Sequence, residues 1–300
     1  MKHAHASPAK VSLLLFSGFL LLCLIPFALA WSSLQPLFRL VLDNDTFSQI
    51  PLIPLVSAFL IYERRKSIFA DVSFDGKLGA AFLVPGMILF GVARLDLLHL
   101  SSTNPLSLLM FAIVLVWLGA FALFFGARAF RIASFPLFFL LFAVPIPEPF
   151  LTETIQFLQA RSSDMAEFFF RIFGVPYLRQ PGFIFQLPGL AIRVAEECSG
   201  IRSTLALLIT TVLASYLFLK TPWRRIVLCA TVVPLAIFKN GLRIATLSIL
   251  TIYVNPAFLY GNLHRRGGIV FFIIAMIPIA LLLLWFQKRE NIEAHSAPSA

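Results

Sequence analysis

Charge is what this 300-residue chain has least of: Asp, Glu, Lys and Arg together make up 13% of it, against 59% hydrophobic residues and a mean hydropathy of +0.91. So little charge excludes a soluble globular domain, in which about a quarter of the residues are charged. Long polar stretches are also missing. Each bilayer crossing takes roughly 20 apolar residues, and apolar runs recur along the whole length, so no sizeable soluble domain is left over. Cysteine is scarce: Cys23, Cys198 and Cys229 are too few and too unevenly spaced for a disulfide framework or a zinc site. A cysteine with a chemical role must therefore act alone. Internal repeats are absent, and no metal or organic cofactor is called for.

Acidic residues are outnumbered, 14 against 24 basic, for a net charge of +10. The Lys and Arg residues sit in short clusters between apolar runs and form no single basic face, which argues against a nucleic-acid partner and marks them as topology signals. Apolar runs lie near 11–30, 48–62, 78–98, 105–125, 132–147, 201–219, 226–252 and 268–286. They predict an all-α polytopic membrane protein, one domain over 1–290 with about eight transmembrane helices, followed by a disordered cytoplasmic tail over 291–300. The first run, ending in Ala28-Leu29-Ala30, also has the form of a cleavable signal peptide. An uncleaved helix is preferred because it preserves the alternation of charge between loops.

Assigning alternate loops to the two sides gathers thirteen basic residues on one: Lys2, Lys10, Arg64 to Lys66, Lys77, Arg128, Arg131, Lys220, Arg224, Arg225, Lys288 and Arg289. That side is the cytoplasm, and both termini fall on it. The opposite short loops hold only Arg39, Arg265 and Arg266. The long segment 148–197 then lies outside. Its first part, Phe150 to Phe173, mixes charges with aromatic residues as in a helix lying on a membrane surface. Its second part, Phe183 to Val194, is β-prone around Leu187-Pro188-Gly189 and reads as a short hairpin that leads the chain to Cys198.

Polar groups within or at the ends of lipid-spanning segments are costly and repay individual inspection. Counting 22 residues back from Lys220, about 33 Å of helix, puts Cys198 at the outer interface. Counting 18 forward from Arg225, about 27 Å, puts Arg243 near the outer end of the seventh helix, and His264 precedes the last span at the same level. Three reactive side chains thus share one depth. A plainer reading stands beside this: interfacial Arg and His often only snorkel, and a lone Cys is usually a small buried hydrophobe.

Ser199 and Gly200 follow Cys198, which places the thiol at a helix N-terminus, where the dipole favours a thiolate; Glu196 and Glu197 act in the opposite sense. Arg243 and His264 are the positive partners available. Asn240, one turn before Arg243, either orients the guanidinium and an oxyanion or joins helices by a polar contact. Lys239, on another face, is expected to contact a neighbouring helix or to snorkel. Cys23 and Cys229 are packing residues. Arg94, Asp96 and His99 suggest an internal ion pair at an interface.

The run Glu196-Glu197-Cys198-Ser199-Gly200-Ile201-Arg202-Ser203, then Pro234 to Arg243 (PLAIFKNGLR), then His264 before an apolar helix, resembles the exosortase/archaeosortase family of membrane transpeptidases. Pro145-Ile146-Pro147, Gly182 with Pro188-Gly189, and Trp223-Arg224-Arg225 extend the resemblance over the C-terminal two thirds. Thr46-Phe47-Ser48-Gln49 departs from the Ser-His-Gly-like motif common in exosortases. The resemblance implies a catalytic triad of Cys198, Arg243 and His264, the histidine pointing to the bacterial type, with Asn240, Ser199 and Gly200 in support. It implies as partners secreted proteins ending in a motif such as PEP, a transmembrane helix and a basic cluster, an acceptor nucleophile of unknown identity, and the lipid of a bacterial inner membrane.

Overall fold

The computed structural model describes residues 8–35, 47–95, 104–195, 199–259 and 268–296. Its chain falls into two compact units, Met1–Glu148 and Pro149–Ala300.

The first unit is built around α5 (Asn104–Ile132), an apolar helix with seventeen buried residues. Against it lie α1 (Pro8–Leu29) and α4 (Gly76–Arg94), while α2 (Leu52–Glu63) and the single turn α3 (Arg65–Ile68) precede α4 in the chain. Glycines let α4 and α5 approach closely: a Cβ at Gly79 would lie 2.7 Å from Leu123 Cβ, and one at Gly119 would lie 2.7 Å from the Leu83 backbone nitrogen. Small residues serve this purpose where lipid supplies no hydrophobic drive between helices. Asp75 caps α4 by accepting from the Leu78 amide at 3.0 Å. The unit ends with α6 (Ser134–Phe139) and a 3₁₀ turn, Leu140–Ala143.

In the second unit, α7 (Glu148–Ile172) is amphipathic and buries Leu158, Gln159, Ser162, Ser163, Ala166, Phe169 and Phe170, a single face at helical spacing. It packs on an antiparallel sheet of β1 (Leu178–Gln180), β2 (Ile184–Leu187) and β3 (Leu190–Arg193), in that order. Pro188 and Gly189 (φ 70°) join Leu187 to its partner Leu190, with the residues a type II turn requires at its two central positions. Three helical segments follow the sheet: α8 (Ile201–Phe218), α9 (Pro222–Ala230) leading into α10 (Val232–Tyr253), and α11 (Gly268–Ser296). Ile244 and Ala245 of α10 join Phe170, Phe185 and Val194 in one core, so the second half of α10 carries the sheet.

All eight apolar runs contain helix. Among the described residues, five segments are long and apolar enough to cross a membrane, and six if the broken pair Ser134–Ala143 and Glu148–Ile172 counts as one span. Leu15–Leu29 and Leu52–Glu63 are shorter apolar helices. An amphipathic helix, α7, and a hairpin, β2–β3, also stand where the sequence predicts a helix and a hairpin.

Three features differ from the expectations. A third strand, β1, joins the hairpin; it is held by Arg179, which pairs with Asp164 and Glu167 of α7 at 2.8 Å each. Arg243 does not end its helix, since α10 continues to Tyr253. The chain past Lys288 does not fall into disorder at 291: α11 runs on to Ser296, and Glu293 there bonds Arg224 at 2.5 Å.

Candidate active site

The start of α8 is fixed to the side of α10. Gly200 caps α8 with φ 79°, a left-handed conformation that a side chain resists. A Cβ there would also stand 3.0 Å from Asn240 Cγ. The Asn240 amide donates to the Ser199 carbonyl at 3.1 Å, and the Ser199 hydroxyl accepts from the Ile201 amide at 3.3 Å. Behind this turn, the buried Lys239 ammonium donates to the Ser203 hydroxyl, which in turn donates to the Gly200 carbonyl at 3.0 Å. Two neighbouring residues of α10 thus grip the start of α8, Asn240 directly on the Ser199 carbonyl and Lys239 through the Ser203 hydroxyl that bonds the Gly200 carbonyl.

The approach to that turn is fixed as well. Gln159 of α7, 6% exposed, donates to the Val194 carbonyl at 3.0 Å, just where the sheet hands the chain on toward residue 196. Gly241 lets α7 sit directly on α10, since a Cβ at that position would lie 2.5 Å from Met165 Cβ. An ionic network ties the sheet to α7: Arg171 bonds Glu167 and the Tyr177 hydroxyl, and the Tyr177 hydroxyl donates to Glu167 at 3.0 Å. The hydrogen bond from Arg179 is the main reason that the Glu167 carboxyl sits below its ordinary value of 4.5.

The structure therefore brings together Ser199, Gly200 and Asn240, with Arg243 half-buried one turn farther along α10. At about 1.5 Å rise per residue, Arg243 stands only three residues beyond the contact with Ser199. Cys198 and His264, with Glu196 and Glu197, lie outside the described residues, as do Asp96 and His99; Arg94 donates to the Ser33 hydroxyl at 2.7 Å. Lys239 contacts a neighbouring helix, the first of its two expected roles, but its place at this turn was not legible. The signal for it is the adjacency Lys239-Asn240 opposite Ser199-Gly200 and Ser203.

The family model described as Transmembrane exosortase (Exosortase_EpsH) matches residues 31–281. The chain belongs to the transmembrane exosortase family. That family processes PEP-CTERM-type sorting signals, generally as cysteine proteases or transpeptidases. This exosortase is a multi-pass membrane protein, and its gripped turn lies inside the matched region. No curated protein and no solved structure matches it.

Proposed function

We propose that this exosortase is a cysteine transpeptidase that cleaves C-terminal sorting signals of secreted proteins outside the membrane and passes the acyl group to a second nucleophile, in support of exopolysaccharide or matrix export. The Cys198 thiolate attacks the scissile carbonyl, the peptide C–N bond breaks, and a thioester forms. His264 gives its proton to the leaving amine and takes one from the incoming nucleophile. Arg243 and the Asn240 region stabilise the oxyanion. Both termini lie in the cytoplasm and the site faces outward, as the clustering of basic residues on alternate loops requires.

One observation carries this reading: the residue next to Cys198 is bonded through its carbonyl to Asn240, one turn from Arg243. A turn held at both Ser199 and Gly200 is what a nucleophile needs for a fixed line of attack. The test is co-expression with a tagged protein ending in the sorting signal, followed by mass spectrometry of the Cys198 peptide. A hydroxylamine-sensitive adduct on the wild type, together with loss of processing in Cys198→Ala, is the expected result. Normal processing by Cys198→Ala without any adduct overturns it and leaves a membrane scaffold for polysaccharide export as the better account.

A further inference from the structure

The first unit contains a cavity of about 840 Å³ that the proposed reaction does not use, bounded by α1, α2, α3, α5 and α6 with its 3₁₀ turn. Its size falls within the range of roughly 300–1,000 Å³ for small-molecule sites. Almost every lining side chain is apolar, with Leu20, Phe27, Ile61 and Phe121 typical. Two polar groups in its wall are satisfied by the protein itself: the Ser57 hydroxyl donates to the Pro136 carbonyl at 2.6 Å, and the Trp117 indole donates to the Cys23 carbonyl at 3.0 Å. Such a wall suits hydrocarbon.

One end differs. Arg65 and Lys66 line the groove there, both exposed, and no Asp or Glu is among the lining residues described. The Arg65 guanidinium is held 4.0 Å over the Tyr62 ring, and its Nη1 donates to the Tyr62 carbonyl at 2.8 Å. A hydrocarbon slot closed by two cations at one end matches a molecule with an acyl chain and a negative head. A sorting-signal helix is disfavoured, because its basic cluster would meet Arg65 and Lys66.

We propose that this groove is a binding site for an anionic membrane phospholipid, with an acyl chain between α1 and α2 and the phosphate at Arg65 and Lys66. At about 30 Å³ for each water-sized group, the cavity volume accommodates one to two acyl chains. The site does not depend on the transpeptidase reading. It makes the first unit sensitive to membrane composition.

Trp117 on the groove wall provides the probe. In the full chain with Trp31, Trp223 and Trp285 replaced by Phe, Trp117 fluorescence is followed in phosphatidylcholine vesicles as brominated phosphatidylglycerol or brominated phosphatidylcholine is added. Phosphatidylglycerol should quench at much lower mole fraction. Arg65→Gln and Lys66→Gln should each weaken that preference about fivefold, the effect of one basic residue beside an anionic lipid. Equal quenching by the two lipids, or a preference unchanged in the double variant, overturns the proposal. Protection from both lipids by an added sorting-signal peptide would assign the groove to a helix instead, and also overturns it.

Discussion

Asn240 holds the Ser199 carbonyl at 3.1 Å and at the same time occupies the space that a Cβ on Gly200 would need. One side chain thus sets both the hydrogen bonding and the residue type of the turn that follows Cys198. Asn240→Ala should cost about 1–2 kcal/mol through the orphaned carbonyl. Gly200→Ala should cost about 1–2 kcal/mol through its left-handed backbone. A Cβ at 200 would also crowd Asn240 Cγ at 3.0 Å, and because Asn240→Ala relieves that crowding, the double variant should lose less than the two effects added together. Unfolding in mixed detergent micelles measures all three, and sorting-signal processing should fall in each. Strict additivity would show that the two residues do not share a contact.

At the other end of this helical group, Arg224 is buried between two carboxylates that differ in surroundings. Glu290 lies 3.7 Å from it, is 8% exposed, and also accepts the Lys220 and Thr221 amides at 2.9 and 2.8 Å; Glu293 is 62% exposed. Removing the buried partner opens two amides at the start of α9 and leaves Arg224 with Glu293 alone, so Glu290→Ala should cost about 2–4 kcal/mol. Glu293→Ala should cost no more than about 1 kcal/mol. Thermal aggregation of the purified protein distinguishes them, and equal losses would show the depth of Glu290 to be immaterial.

The ionic network between α7 and the sheet gives a pH dependence of definite sign. The folded-state value of Glu167 lies below the ordinary 4.5, chiefly through the hydrogen bond from Arg179. Its contribution is therefore complete above pH 4.5 and fades as the pH falls through the folded value. Limited proteolysis of the loops on either side of β2 should accelerate as the pH is lowered below about 4.5. Glu167→Gln should be cut faster at neutral pH and lose much of that acceleration.

How much was legible in the sequence depended on how local the determinant was. Lipid imposes uniform apolarity on a spanning helix, so the apolar helices, five or six of them long enough to span among the described residues, stood out from composition alone. Pro188-Gly189 announced the β2–β3 hairpin because both residues act on their own backbone. Leu178–Gln180 gave no such sign: three residues cannot show alternation, and β1 is held by Arg179 reaching carboxylates on α7. Glu290 and Glu293 looked like a solvated tail because their partner, Arg224, belongs to another helix. For the candidate site, Asn240 was legible as a partner of Arg243 or a polar joint between helices, but that the carbonyl it meets is that of Ser199 was not. The part played by Lys239 was missed, because a helical wheel separates it from Asn240 by about 100° and gives no indication that the end of α8 is broad enough to meet both.

A substitution at Arg243 tests whether the proposed site needs a guanidinium or only a positive charge. Lys239, four residues before it on α10, already places an ammonium beside the turn, where it bonds Ser203. If charge alone were needed near Cys198, a second ammonium at 243 would serve, and Arg243→Lys would process its substrate nearly as well as the wild type. An oxyanion is better met by the planar, forked donors of a guanidinium, whose geometry lysine cannot reproduce. Arg243→Lys should therefore lose at least about a hundredfold in processing rate, comparable to removal of an oxyanion donor, while accumulating in the membrane at wild-type levels. The measurement is the rate at which the tagged substrate is processed at matched enzyme abundance. Retention of full activity would reduce Arg243 to a helix-packing residue and leave the oxyanion to Asn240.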